Sequence, residues 1–144
     1  MVDRALMGRK IAQMETYLGQ VKEFSPTSLA AYKNDWKTQR IVERTLQILI
    51  ELCIDIANHI IADGKMRLPQ GYADTFGVLA ENRVIGRRLG ERMGRMAKFR
   101  NVVVHQYERI DPAIVVSILN RNLGDFENYK KTILKFLSGD SRKA

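Results

Sequence analysis

The sequence predicts an all-α protein: a four-helix up-down bundle with one additional short helix. Three observations predict it. Apolar residues recur at helical spacing in four long regions, no stretch alternates with the period of a strand, and the breaks carry helix-start and helix-stop residues. A chain of 144 residues suits one domain, expected over residues 1–137 with a C-terminal tail at 138–144. At this length about 70% of the unfolded surface can be buried, so neither a disulfide nor a metal is required for stability.

In the first region Met7, Ile11, Met14, Leu18 and Val21 recur at alternating steps of four and three, the seam of a packed helix. Ser25-Pro26 predicts a helix start, serine as N-cap and proline at the first position, opening a short segment through Tyr32. The second long helix is expected from about Trp36 to Ala62, apolar over most of its surface between Ile48 and Ile61, as a central helix would be. One polar stripe runs along it through Arg40, Arg44, Gln47, Glu51, Asp55 and Asn58. Gly64 and Pro69-Gln70-Gly71 mark a loop.

A third region starts near Asp74, breaks around Asn82 and resumes through Ile85, Leu89, Met93 and Met96. The fourth has the clearest start, with Asp111 as N-cap and Pro112 in the first turn; its buried face runs from Ile114 to Leu137, and Gly139 suits its exit. Gly86, Gly90 and Gly94 lie four apart on the third region. Interior glycines cost a helix about 1 kcal/mol each relative to alanine, so this face is expected to meet another helix closely, in the bundle or across a dimer.

Cys53 is the only cysteine and sits in an apolar run, which makes it a small core residue and fits a reducing compartment. The N-terminus has no apolar core of signal-peptide length. The longest apolar stretch, Leu46 to Ala62, is interrupted by Gln47, Glu51, Asp55, Asn58 and His59, so no membrane span is expected and the protein reads as soluble and cytoplasmic. The 24 Lys and Arg exceed the 16 Asp and Glu by 8, a balance that favours an anionic partner such as nucleic acid, an acidic protein or a nucleotide.

The chemistry-bearing residues are few. No nucleophile elbow and no phosphate-binding glycine loop occurs. Glu51, Asp55 and His59 fall at i, i+4 and i+8 on one helix, as ligands of a bundle metal would. Such sites draw on several helices, however, and no Glu-x-x-His is present, so no metal or cofactor is expected. A polar stripe that meets Arg or Asn from another helix fits better, because buried carboxylates need partners. His105 follows three valines, which weaken the local helical preference, and Pro112 lies seven residues on. His105 and Tyr107 are therefore expected near a helix end or turn. Arg100 and His105 would differ by about 140° around an ideal helix, not stacked but both able to line a groove. Without further context, Arg100 paired to a carboxylate and His105 as a cap explains the pattern better.

Four stretches supply that context: Glu43 to Gln47, Asp55 to Ile61, Met96 to Tyr107, and Ile110-Asp111. In this order and spacing the chain resembles the HepT toxins, a branch of the HEPN superfamily encoded beside minimal nucleotidyltransferase antitoxins, from about residue 2 to residue 137. The resemblance implies a HEPN-like bundle and the toxin component of a type VII-like toxin–antitoxin system. It implies a metal-independent endoribonuclease acting on RNA as a homodimer. The family motif, arginine, four residues, histidine, one residue, tyrosine, falls on Arg100, His105 and Tyr107. Arg100 and His105 would be catalytic, and Tyr107 would accept AMP from the nucleotidyltransferase. Asn101, Glu51 and Asp55 would support the site, and Arg40 and Arg44 would extend a positive groove for RNA phosphates. Two other readings stay open here: a HEPN module that binds RNA or nucleotide without cleaving it, and a bundle that mainly forms a complex with its nucleotidyltransferase.

Overall fold

The computed structural model describes residues 2–143, with side chains through Gly139. Among these residues it is helical, without strands. Helix α1 (Arg4–Lys22) opens where the Asp3 carboxylate accepts the Leu6 N–H, and it buries the expected seam, Met7, Ile11, Met14, Leu18 and Val21. Helix α2 (Leu29–Lys33) starts later than Ser25-Pro26 suggests. Its N-cap is Ser28, whose hydroxyl oxygen accepts the Ala31 N–H at 3.1 Å. Ser25 donates its hydroxyl to the Leu119 carbonyl at 2.7 Å, and Thr27 exchanges two hydrogen bonds with the Asn120 amide. The commitment of Ser25 and Thr27 to another segment keeps the chain out of helix until Ser28.

Helix α3 (Trp36–Asp63) is capped by Asp35 and leaves at Gly64. Its buried positions run from Val42 to Ile61, so it forms the centre of the core. It is long and apolar enough to cross a membrane by length and composition, yet most of that stretch is buried against other helices. The third expected region is two helices, α4 (Tyr72–Glu81) and α5 (Arg87–His105). Between them the Asn82 amide donates to the Val78 carbonyl at 2.9 Å, and Arg83 takes a left-handed φ of 59° that reverses the chain.

That reversal lays α5 antiparallel on α4. A Cβ at Gly90 would lie 3.1 Å from the Ala80 Cβ and 3.3 Å from the Phe76 carbonyl oxygen, and one at Gly94 would lie 3.6 Å from the Ala73 carbonyl oxygen. The close approach expected of these glycines is thus made to α4, while Gly86 caps α5 in open space.

The fourth region starts as expected: Asp111 accepts the Ala113 N–H at 2.9 Å above Pro112. It is not one regular helix. Helix α6 (Pro112–Ser117) passes through a wide π turn at Ile118–Asn122 into α7 (Leu123–Lys143). The π turn falls where Leu119 and Asn120 are bonded to the connection before α2. Helix α7 also continues past Gly139 to Lys143, so glycine there does not end it; Met1 and Ala144 lie outside the described residues.

Helices α1 and α3 run antiparallel, with Met14 against Cys53 and Lys10 beside Asp55. Helices α1 and α7 do the same, from Lys22–Glu127 at one end to Arg4 bonded to the Leu137 carbonyl at the other. At the centre the Phe76 and Tyr129 rings meet edge to face with centroids 5.5 Å apart, and the Tyr129 hydroxyl donates to the Cys53 carbonyl at 2.8 Å. Cys53 is fully buried, which pushes its thiol pKa up and leaves it a packing residue.

Candidate active site at the end of helix α5

Arg100 and His105 lie in the last two turns of α5, and Tyr107 just beyond its end. The helix stops at His105, where the Gln106 N–H closes the final turn onto the Val102 carbonyl at 2.8 Å, and Tyr107–Arg109 form a single 3-10 turn before α6. His105 and Tyr107 thus lie at a helix end, as the valine run and Pro112 suggest. His105 is exposed, and Tyr107 is 74% exposed.

Arg100 is held on three sides. Its Nε donates to Glu51 Oε2 at 2.9 Å, its Nη1 donates to Asn101 Oδ1 at 3.1 Å, and its guanidinium carbon lies 4.8 Å from the centre of the Tyr72 ring. Glu51 is steadied in turn by the Gln47 amide at 3.1 Å. A guanidinium fixed by a carboxylate, an amide and an aromatic face keeps one orientation, and its Nη2 hydrogens have no partner in these contacts, so they can take an anion.

Of the three residues expected to support the site, Glu51 and Asn101 are bonded to Arg100, and Asp55 is not. The Asp55 carboxylate lies 3.5 Å from the Lys10 Nζ and is about half exposed. One turn along α3, roughly 6 Å of rise, carries the polar stripe from α5 over to α1. The same displacement disperses the Glu51–Asp55–His59 ladder: Glu51 serves Arg100, Asp55 faces Lys10, and His59 is exposed. Arg40 pairs with Glu43 at 3.3 Å, Arg44 is exposed, and neither is bonded to a motif side chain.

His105, Asn101, Val102 and Gln106 line one wall of a recess of about 450 Å³, and Gly71 with Tyr72 form the other. A larger groove of about 640 Å³ runs farther along α4 and α5 past Gly77, Gly90 and Gly94, and holds neither His105 nor Tyr107.

Two residues of this arrangement carry little signal in the sequence. Tyr72 opens α4 directly after the Pro69-Gln70-Gly71 loop, and its one sequence signal is an aromatic at the first position of a helix following a turn glycine. Arg67 fastens that loop. Its guanidinium makes paired hydrogen bonds to Asp74, at 2.7 and 2.8 Å, and to Glu81, at 2.9 and 2.7 Å. Hydrogen bonds from the Arg67 guanidinium, and after them from the Gln70 N–H, hold the Asp74 carboxyl down at about 2, and the Arg67 hydrogen bonds lower that of Glu81. Asp74 also accepts the Gln70 N–H at 2.9 Å, so the clasp fixes the backbone that presents Tyr72 to Arg100. Arg67 precedes Asp74 by seven positions, across a loop, and no helical spacing links them.

The model of a family described as ribonuclease HepT-like matches residues 14–133, a span that includes the whole site. The chain belongs to this HepT-like family. An mRNA nuclease HepT from Shewanella oneidensis is 38% identical over 98 residues, covering 68% of this chain and 74% of that protein. A tRNA nuclease HepT from Aphanizomenon flos-aquae is 26% identical over 138 residues, covering 94% of this chain and 92% of that one. The HepT-like fold is also seen in a solved structure of a tri-AMPylated Shewanella oneidensis HEPN toxin in complex with MNT antitoxin. That toxin is 31% identical, with a TM-score of 0.84 over 92% of this chain and 99% of its own.

Proposed function

We propose that this HepT-like chain is a metal-independent endoribonuclease, the toxin of a toxin–antitoxin pair, acting as a homodimer. One observation carries the reading: Arg100, pinned by Glu51, Asn101 and Tyr72, stands five residues before an exposed His105 that lines a recess open to solvent. An always-charged fork together with an imidazole that can take and give a proton is what phosphodiester transfer within RNA requires.

RNA carries its own nucleophile. The ribose 2′-oxygen attacks the adjacent phosphorus, its proton passes to an imidazole, and the bond to the 5′-oxygen breaks as that oxygen takes a proton. The products are a 2′,3′-cyclic phosphate and a free 5′-hydroxyl, with no water or metal in the balance. Arg100 stabilises the charge that builds on the phosphorane oxygens. In a homodimer two motif copies meet in one cleft, and His105 and His105 of the partner subunit divide the base and acid roles. Arg40 and Arg44, both exposed on α3, extend the positive surface for flanking phosphates.

Tyr107 is the point of control. Its exposed hydroxyl accepts AMP from a minimal nucleotidyltransferase antitoxin, and the added phosphate repels RNA two residues from His105. The tri-AMPylated state of the Shewanella toxin in complex with its antitoxin supports this reading. The test is the chemistry of the product ends, on messenger and transfer RNA, the substrates for which the two nuclease relatives are named. Cyclic phosphate ends, and a substrate made inert by 2′-O-methylation, are expected. Ends bearing 5′-phosphates, or cleavage of the methylated RNA, would overturn the mechanism.

A further inference from the structure

Tyr72 has no part in the core. It belongs neither to the buried cluster nor to the side chains packed against it, and it is 43% exposed. An aromatic ring left in water at the mouth of a recess calls for a partner. One partner is visible: the Arg100 guanidinium covers part of the ring at 4.8 Å. Tyr72 lines the recess shared with His105, and Gly71 beside it on the same wall carries no side chain. The amides of Asn101 and Gln106 stand at its edge, and its volume of about 450 Å³ is in the range that takes a nucleotide-sized ligand. Bases of single-stranded RNA splay out and stack on aromatic side chains and guanidinium planes, and here both are already set against each other.

We propose that Tyr72 is the stacking platform for one nucleobase of the RNA strand, the base next to the phosphate held by Arg100. This rests on the nuclease reading and adds a residue to it. A single ring then does two things: it orients Arg100 from one side and seats the base from the other. A base seated there lies against His105 and Asn101 as well, which sets the register of the strand across the motif. Stacking accepts every base, so this contact contributes affinity and register and leaves sequence preference to the amides at the edge.

The experiment measures equilibrium binding of a mixed-sequence 2′-O-methyl RNA oligonucleotide, which has no nucleophile, and of the same backbone without bases. The proteins are the full chain, Tyr72→Phe and Tyr72→Leu, with helical content checked by circular dichroism. Tyr72→Phe is expected to bind like wild type. Tyr72→Leu is expected to bind the base-bearing strand on the order of tenfold more weakly, and to lose far less affinity for the base-free strand, which feels only the loss of the contact with Arg100. Equal binding of the base-bearing strand by Tyr72→Leu, or no binding by wild type, would overturn the proposal. So would a Tyr72→Leu variant that loses only turnover on cleavable RNA, because Tyr72 would then act on Arg100 alone. The binding arm needs no cleavage, so an inactive wild type would count against the nuclease reading and leave the platform to be read separately.

Discussion

Glu51 Oε2 accepts a hydrogen bond from Arg100 Nε at 2.9 Å, and this contact ties the central helix to the motif helix. Only 13% of the Arg100 side chain is exposed, so a change at Glu51 leaves a poorly solvated cation to reorient. Glu51→Ala is expected to lower kcat for RNA cleavage on the order of tenfold to hundredfold through misplacement of Arg100, with a smaller change in KM. Asp55→Ala, whose carboxylate faces Lys10, is expected to cleave like wild type. Steady-state kinetics on labelled RNA separates the two; equal losses would show that Glu51 does not act through Arg100.

The division between Glu51 and Asp55 shows how far the sequence could be read. Both lie on one polar stripe of α3, and the need of buried carboxylates for partners pointed to an arginine from another helix. Which carboxylate meets Arg100 depends on where α5 crosses α3, and spacing along one helix does not contain that. The seam of α1, the central α3 and the Asp111-Pro112 start were legible because local patterning determines them. The start of α2 at Ser28 and the π turn were not, since they follow from bonds between residues 25–27 and 119–120, far apart in sequence. Tyr72 and Arg67 escaped for the same reason: each matters through a partner that the loop brings to it.

The Arg67 clasp predicts an acid limit. The folded Asp74 carboxyl sits at about 2, below its ordinary value near 4. A depressed folded pKa means that the clasp's contribution is fully present above about pH 4 and is lost as pH falls from about 4 toward 2. Arg67→Ala removes the largest cause of the depression and leaves the smaller one, the Gln70 N–H. Its acid unfolding is expected to depend less steeply on pH in that window than wild-type unfolding, and its loop at residues 64–71 to be cut faster by protease near neutral pH. Identical acid profiles for the two proteins would show that the clasp does not contribute.

Gly90 and Gly94 separate two reasons for a helical glycine. At Gly94 an added Cβ meets only the Ala73 carbonyl oxygen at ordinary contact distance, 3.6 Å. Gly94→Ala is therefore expected to stabilise the fold by up to about 1 kcal/mol through helix propensity. At Gly90 the Cβ would press on the Ala80 Cβ at 3.1 Å and on backbone at Phe76, at 3.3 Å. Neither neighbour can swing aside, and Gly90→Ala is expected to cost about 1 kcal/mol net. Urea unfolding checks both; a stabilised Gly90→Ala would mean that α4 and α5 are less closely packed than described.

Tyr107, at 74% exposure, carries no packing load. Tyr107→Phe is expected to fold and cleave RNA like wild type, and to escape adenylylation when incubated with a minimal nucleotidyltransferase of the proposed kind and ATP. Intact-mass spectrometry reads the result directly. Adenylylation of Tyr107→Phe at the wild-type level would place the modification elsewhere.

Cleavage of RNA by Arg100 and His105 without a metal is checked by incubating end-labelled RNA in EDTA with wild type and with His105→Ala. Cleavage by wild type that persists in EDTA and is lost in His105→Ala is the expected result. Cleavage that EDTA abolishes, or that His105→Ala retains at the wild-type rate, would contradict it.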